Sequence, residues 1–99
     1  MSHSVAVIAR FTPRPEKRDA LRDLLDGIVT PTRAEEGCRT YDLYEIAGDG
    51  AFVLFERYRD HNALQEHRRT SHYVNYRAQL GELLGEPISV TELVALDEA

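Results

Sequence analysis

Apolar positions along the chain change their spacing several times, and each change marks an element. From Ser4 to Thr12 they crowd together with the β-branched Val5, Val7 and Ile8, and the run stops at Pro13 and Pro15, which predicts a first strand. From Glu16 onward Leu21, Leu24, Leu25 and Ile28 recur at three- and four-residue intervals, while Arg18, Asp19, Arg22, Asp23 and Asp26 fill the opposite side. This is an amphipathic helix with Pro15 suited to its first turn. Pro31 is expected to kink or break it, with one more turn possible before Gly37 stops it. Cys38 to Ile46 and Ala51 to Arg59 read as two strands joined by the hairpin turn Ala47-Gly48-Asp49-Gly50. Asp60 can cap a second helical region carrying Ala63, Leu64 and His67, and Ser71 can start a further segment through Leu84. Gly85 and Pro87 end that segment, Ile88 to Leu96 reads as the last strand, and Asp97-Glu98-Ala99 as a frayed tail.

The order βαββαβ predicts an α+β fold, a ferredoxin-like antiparallel sheet with its helices on one face. Such a sheet usually keeps its other face wet and its strands alternating. These strands do not alternate cleanly: Val5-Ala6-Val7-Ile8-Ala9 and Ala51-Phe52-Val53-Leu54-Phe55 are apolar on both parities, as are Ile88, Val90, Leu93, Val94, Ala95 and Leu96. Helices on one side cannot cover both faces, so the expected cover for the second is another copy of the same sheet, in a two-fold homodimer.

A chain of 99 residues is read as one domain, residues 1–99, with a limited core and no room for a separate cofactor domain. Twelve basic against 17 acidic residues give a net charge of -5, the wrong sign for a nucleic-acid or anionic-membrane surface. The single cysteine, Cys38, excludes an intrachain disulfide and a multi-thiolate zinc site and suits a reducing compartment. The opening M-S-H-S-V has no basic leader region, and no stretch approaches the roughly 18 apolar residues of a membrane span, so a cytoplasmic protein is expected.

Candidate chemistry gathers between Glu56 and Tyr73, E-R-Y-R-D-H-N-A-L-Q-E-H-R-R-T-S-H-Y, where a strand runs into helix. Glu56 and Tyr58 share strand parity, and His67 lies three residues past Leu64 and four past Ala63, on the apolar side of its helix. A helix on that sheet face would lower His67 toward Glu56 and Tyr58. His72, five residues on, would point roughly 140° away on a continuous helix; a break near Ser71 could turn both imidazoles inward. A metal held by His67, His72 and Glu56 lacks supporting spacing, and no metal site is assigned. Arg10 and Arg57 are expected in cross-strand pairs with Glu45 or Glu56, and His3 and His61 in solvent. No nucleophile elbow, Walker loop or dinucleotide fingerprint occurs. Ala51-Phe52-Val53-x-Phe55 matches half of an RNA-recognition signature, but Gly48-Asp49-Gly50 fails the other half, and the charge is wrong.

Pro15-x-Lys17, Glu35-Glu36-Gly37-Cys38-x-x-Tyr41, Phe52-x-Leu54-x-Glu56-x-Tyr58, Ala63-Leu64-x-x-His67 and Thr70-Ser71-His72-Tyr73, in this order and spacing, resemble the antibiotic biosynthesis monooxygenase domain family. The resemblance implies a dimeric α/β barrel, each subunit keeping a pocket between helices and sheet. It implies a monooxygenase that oxidises a small aromatic or quinol-type substrate with O2 and no cofactor. Tyr58 stands where many members have tryptophan, and Ser4 to Thr12 lacks the asparagine of a haem-degrading branch. His67-Arg68-Arg69-Thr70-Ser71-His72-Tyr73 with Gln79-Leu80 and Gly85-x-Pro87 is also similar to an isomerase branch acting on a phosphorylated hydroxy-ketone of the autoinducer-2 type. A non-catalytic ligand-binding dimer is the third alternative. Under the leading reading His67 is the base, Tyr58 the hydrogen-bond donor and His72 an alternate base, with Glu56, Tyr41, Phe52 and Tyr73 against the substrate.

Overall fold

A computed structural model describes residues 3–99, so the first two residues of the leader expectation lie outside the described part. Strands β1 (Val5–Phe11), β2 (Cys38–Glu45), β3 (Phe52–Tyr58) and β4 (Ser89–Val94) form one antiparallel sheet in the order β2-β3-β1-β4. Helices α1 (Arg18–Arg33), α2 (His61–Arg69) and α3 (Ser71–Leu80) supply the ferredoxin-like helical layer. No helix among the described residues is long and apolar enough to cross a membrane.

Strand parity decides what goes where. In β3, Phe52, Leu54, Glu56 and Tyr58 are buried while Val53, Phe55 and Arg57 on the other parity are half-buried. Register puts Val7, Tyr41 and Glu56 across from one another on the helix-covered face. Leu21, Leu25 and Ile28 of α1 close over Phe11, Phe52 and Leu54, and Ala63 and Leu64 of α2 close over Val5, Val7 and Tyr58. Each fully buried leucine here contributes about 1.5–3 kcal/mol, so these two clusters carry most of the fold's stability. No helix of the described residues covers the opposite face, and Ile8, Tyr44 and Leu93 stand exposed on it.

Four expectations need correction. Helix α1 runs through Pro31 to Arg33. Pro31 removes only the N–H that would reach Gly27, in the last turn, and the helix ends before Gly37 as expected. Helix α3 stops at Leu80 and not at Leu84, because the carbonyl of Leu83 is taken by the Arg14 amide at 2.9 Å and Gly85 N–H donates to Thr12 at 2.7 Å. Arg10 pairs with Asp49, Arg18 takes Glu45, and Arg57 pairs with Glu98. That last pair, together with Ser4 on the same carboxylate, ties down the tail expected to fray. The hairpin turn is as expected, with Gly48 and Gly50 at φ 77° and 80°.

Gly37 is where the loop after α1 touches the start of α2. A β-carbon there would lie 2.3 Å from that of Ala63, which its own helix holds in place. Gly37→Ala should therefore cost about 1–3 kcal/mol, a fall in Tm of roughly 4–8 °C per kcal/mol. Adding Ala63→Gly should restore most of the loss. An unchanged Tm in the single variant would show that the contact yields freely.

Candidate active site

Asp60 starts α2 as the sequence predicts, accepting the Ala63 N–H at 2.8 Å. The break between α2 and α3 falls at Thr70, whose extended backbone ends one helix while its hydroxyl accepts the Tyr73 N–H at 3.2 Å to cap the next. The same hydroxyl donates to the His67 carbonyl at 2.7 Å. This turn cancels the divergence that a continuous helix would impose on His67 and His72.

Both imidazoles then meet one carboxylate oxygen. Glu35 Oε2 lies 2.8 Å from His67 Nδ1 and 2.6 Å from His72 Nε2. The carboxylate gathering the histidines is thus Glu35, in the loop after α1, and not Glu56. A carboxylate only accepts, so each facing ring nitrogen carries the hydrogen. The neutral His67 ring therefore has its lone pair on Nε2, which has no protein partner among the described residues. Burial holds the His67 pKa below its ordinary value against the pull of Glu35, with His72 and Arg68 adding to the depression, so the ring is a neutral base at neutral pH.

His67 is fully buried against the protein yet forms part of the wall of a cavity of about 310 Å³ between helices and sheet. Val7, Ala9, Tyr41 and Glu56 make its floor, and Tyr73 and Tyr76 line it from α3. Arg68 and Arg77 bring positive charge, and Ile88 and Val90 line it from the β4 side. The His67 ring centroid lies 5.0 Å from that of Tyr73 and 5.6 Å from that of Tyr41. Arg68 is held by Glu92 at 3.1 Å, whereas Arg77 has no carboxylate partner among the described residues and lies over Tyr73. A second hollow of equal volume lies between α1 and β2, rimmed by Arg22, Asp26 and Arg33. No imidazole reaches it, so the His67 cavity is the better candidate.

Glu56 and Tyr58 share the covered face, but only Glu56 lines the cavity. Tyr58 is fully buried and donates to Glu56 Oε1 at 2.6 Å, so it supports the carboxyl from behind. Burial pushes the Glu56 pKa up to about 7, partly offset by the Tyr58 hydrogen bond and Arg68. Burial and the neighbouring Glu56 also push the Tyr58 and Tyr41 phenols upward, so both stay protonated. Of the other candidates, Tyr41 and Tyr73 line the cavity. Phe52 borders the second hollow with the Arg18 guanidinium 5.0 Å above its ring, and His72 faces a third hollow beside Asn75 and Gln79. The sequence reading left out Glu35, Tyr76 and Arg77 as site residues. Burial, with Glu35 second, lifts the Cys38 thiol to about 11, so it stays protonated.

The raised Glu56 pKa has a defined sign in stability. A folded carboxyl titrating near 7 against about 4.3 unfolded means that the native state binds more protons between those values, so stability falls as pH rises through that window. This group alone should remove roughly 3 kcal/mol by pH 8. His67 acts oppositely, costing stability as pH falls below about 6.5, so the wild-type profile mixes the two. The difference between wild type and Glu56→Gln, measured by denaturant unfolding from pH 4 to 8, isolates the carboxyl. The variant should gain relative stability as pH rises, and a difference flat with pH would contradict the assignment.

Comparison with known proteins agrees with this architecture. The chain is 66% identical over 99 residues to Rv0793 of Mycobacterium tuberculosis, covering all of this chain and 98% of that one. It is 39% identical over 92 residues to YcnE of Bacillus subtilis, covering 90% of this chain and 97% of the other. Both relatives carry provisional monooxygenase names. The solved structure of Rv0793 superposes with a TM-score of 0.95 at 67% identity, over 97% of this chain and 98% of that chain. PA3566 of Pseudomonas aeruginosa gives 0.91 at 34% identity, over 98% of each chain. The profile of the antibiotic biosynthesis monooxygenase family matches residues 4–79, and the chain belongs to that family.

Proposed function

We propose that the protein is a cofactor-independent monooxygenase acting on a small electron-rich phenolic substrate, an anthrone or hydroquinone. The observation carrying this reading is the His67 ring, fixed through Nδ1 by Glu35 so that the Nε2 lone pair is the free basic site on a ring that lines a cavity rich in tyrosine. Ground-state O2 reacts slowly with closed-shell organics, so the substrate must itself supply an electron. Loss of a proton to His67 makes it a sufficient donor. For an anthrone the balance is complete without external reductant: the methylene and O2 become a carbonyl and water, and all four electrons come from the substrate.

Glu56, titrating near neutral pH and backed by Tyr58, is assigned to hold or return a proton at the developing oxyanion. Tyr41 and Tyr73 pack against the substrate ring. His72 acts through Glu35 to orient His67. The protein is further proposed to work as a homodimer joined through the sheet face bearing Ile8, Phe55 and Leu93, which no helix covers.

The test is oxygen uptake by purified protein, with flavin and metal removed, against a panel of hydroquinones and anthrones. The reading expects uptake with at least one phenolic class and no loss on adding chelator. A second reading rests on Arg68 and Arg77 beside the same cavity, which suit an anionic group. Under it His67 would move a proton alpha to the carbonyl of a phosphorylated hydroxy-ketone. Anaerobic isomerisation of that substrate without uptake on the panel would favour it, and binding without either reaction would leave a ligand-binding dimer.

A further inference from the structure

We infer that Glu35, His67 and His72 form a binding site for one divalent transition cation of the zinc or cobalt class, and that its occupation switches off the base assigned above. Glu35 Oε2 contacts His67 Nδ1 and His72 Nε2, and the donor atoms of the three residues all lie within 4.8 Å of one another. They come from the loop after α1, the end of α2 and the first turn of α3, so the Thr70 break fixes their convergence. Two imidazoles and one carboxylate are the donor set borderline divalent ions take, at about 2.0–2.2 Å per bond. Seating an ion requires the two N···O distances of 2.8 and 2.6 Å to open by roughly half an ångström. Glu35 and His72 keep 14% and 24% exposure of their side chains, and a hollow of about 300 Å³ reaches Glu35 past Glu36 and Glu66. A hydrated cation has a path that carries Glu36 and Glu66, with Arg59 held there by Glu36 at 3.4 Å, and coordination positions remain for water.

The consequence for turnover rests on the proposed role of His67. Without metal, Nδ1–H donates to Glu35 and Nε2 is basic. A cation on Nδ1 needs that nitrogen's lone pair, so the neutral ring carries its proton on Nε2 instead. The group then donates and cannot accept.

Metal-free protein titrated with Co²⁺ should bind one ion per chain and develop visible d–d absorption, with Zn²⁺ competing at the same stoichiometry by calorimetry. His72→Ala and Glu35→Gln should each weaken binding at least tenfold, while His61→Ala, on the exposed start of α2, should bind as wild type. His72→Ala removes a partly exposed ring and keeps the test valid if Glu35→Gln unfolds. Absence of stoichiometric binding, or binding unchanged in both variants, would overturn the site. Zn²⁺ should also abolish oxygen uptake, with chelator restoring it; uptake unaffected at full occupancy would overturn the switch. Protein that binds one ion at these residues but shows no uptake when metal-free would support the site and refute the proposed activity instead.

Discussion

His67→Gln, which keeps volume but removes the strong base, should lower the rate of oxygen-dependent substrate conversion by about 10²- to 10⁴-fold, the usual scale of general-base catalysis. His67→Ala should lose at least as much, with an added stability cost because the ring is fully buried. The wild-type rate should fall on the acid side only below the ordinary histidine range, because burial depresses the His67 pKa. Steady-state kinetics across pH, with thermal melts of each variant, separate the two effects. A rate unchanged in His67→Gln would remove the base from this ring altogether.

The second large effect concerns assembly. Ile8 lies on the central strand β1, paired with Phe55 of β3 and Thr91 of β4, on the face without helices. An arginine there would bury an unpaired charge in the proposed interface, at a cost of about 3–5 kcal/mol, enough to weaken a dimer by at least a hundredfold. Light scattering at micromolar concentration should give twice the subunit mass for wild type and a single subunit mass for Ile8→Arg, with far-UV dichroism retained. A wild-type mass of one subunit would refute the dimer.

Strand parity made Glu56 and Tyr58 legible in the sequence as one face, and the three- and four-residue spacing to Leu64 and Ala63 made His67 legible above them. Both are local periodicities that burial enforces. Glu35 had no such signal. It lies 32 residues from His67, and its meeting with both histidines depends on the loop after α1 reaching α2 at Gly37 and on Thr70 re-aiming α3. The same limit explains Tyr58: parity assigned its face, but which phenol borders open space and which supports a neighbour depends on packing between layers. The helix keeps Pro31 in its last turn at the loss of a single N–H, and the ion pair with Arg57 overrides the local tendency of the Glu98 tail to fray.

Turnover of an anthrone under ¹⁸O2, by protein freed of flavin, haem and metal, decides whether the substrate alone activates oxygen in this cavity. Cofactor-independent oxygenation with His67 as base gives one ¹⁸O atom in the new carbonyl, water as the only other oxygen product, and loss of both in His67→Gln. Product oxygen drawn from solvent, or turnover that appears only when flavin or metal is added back, would contradict it.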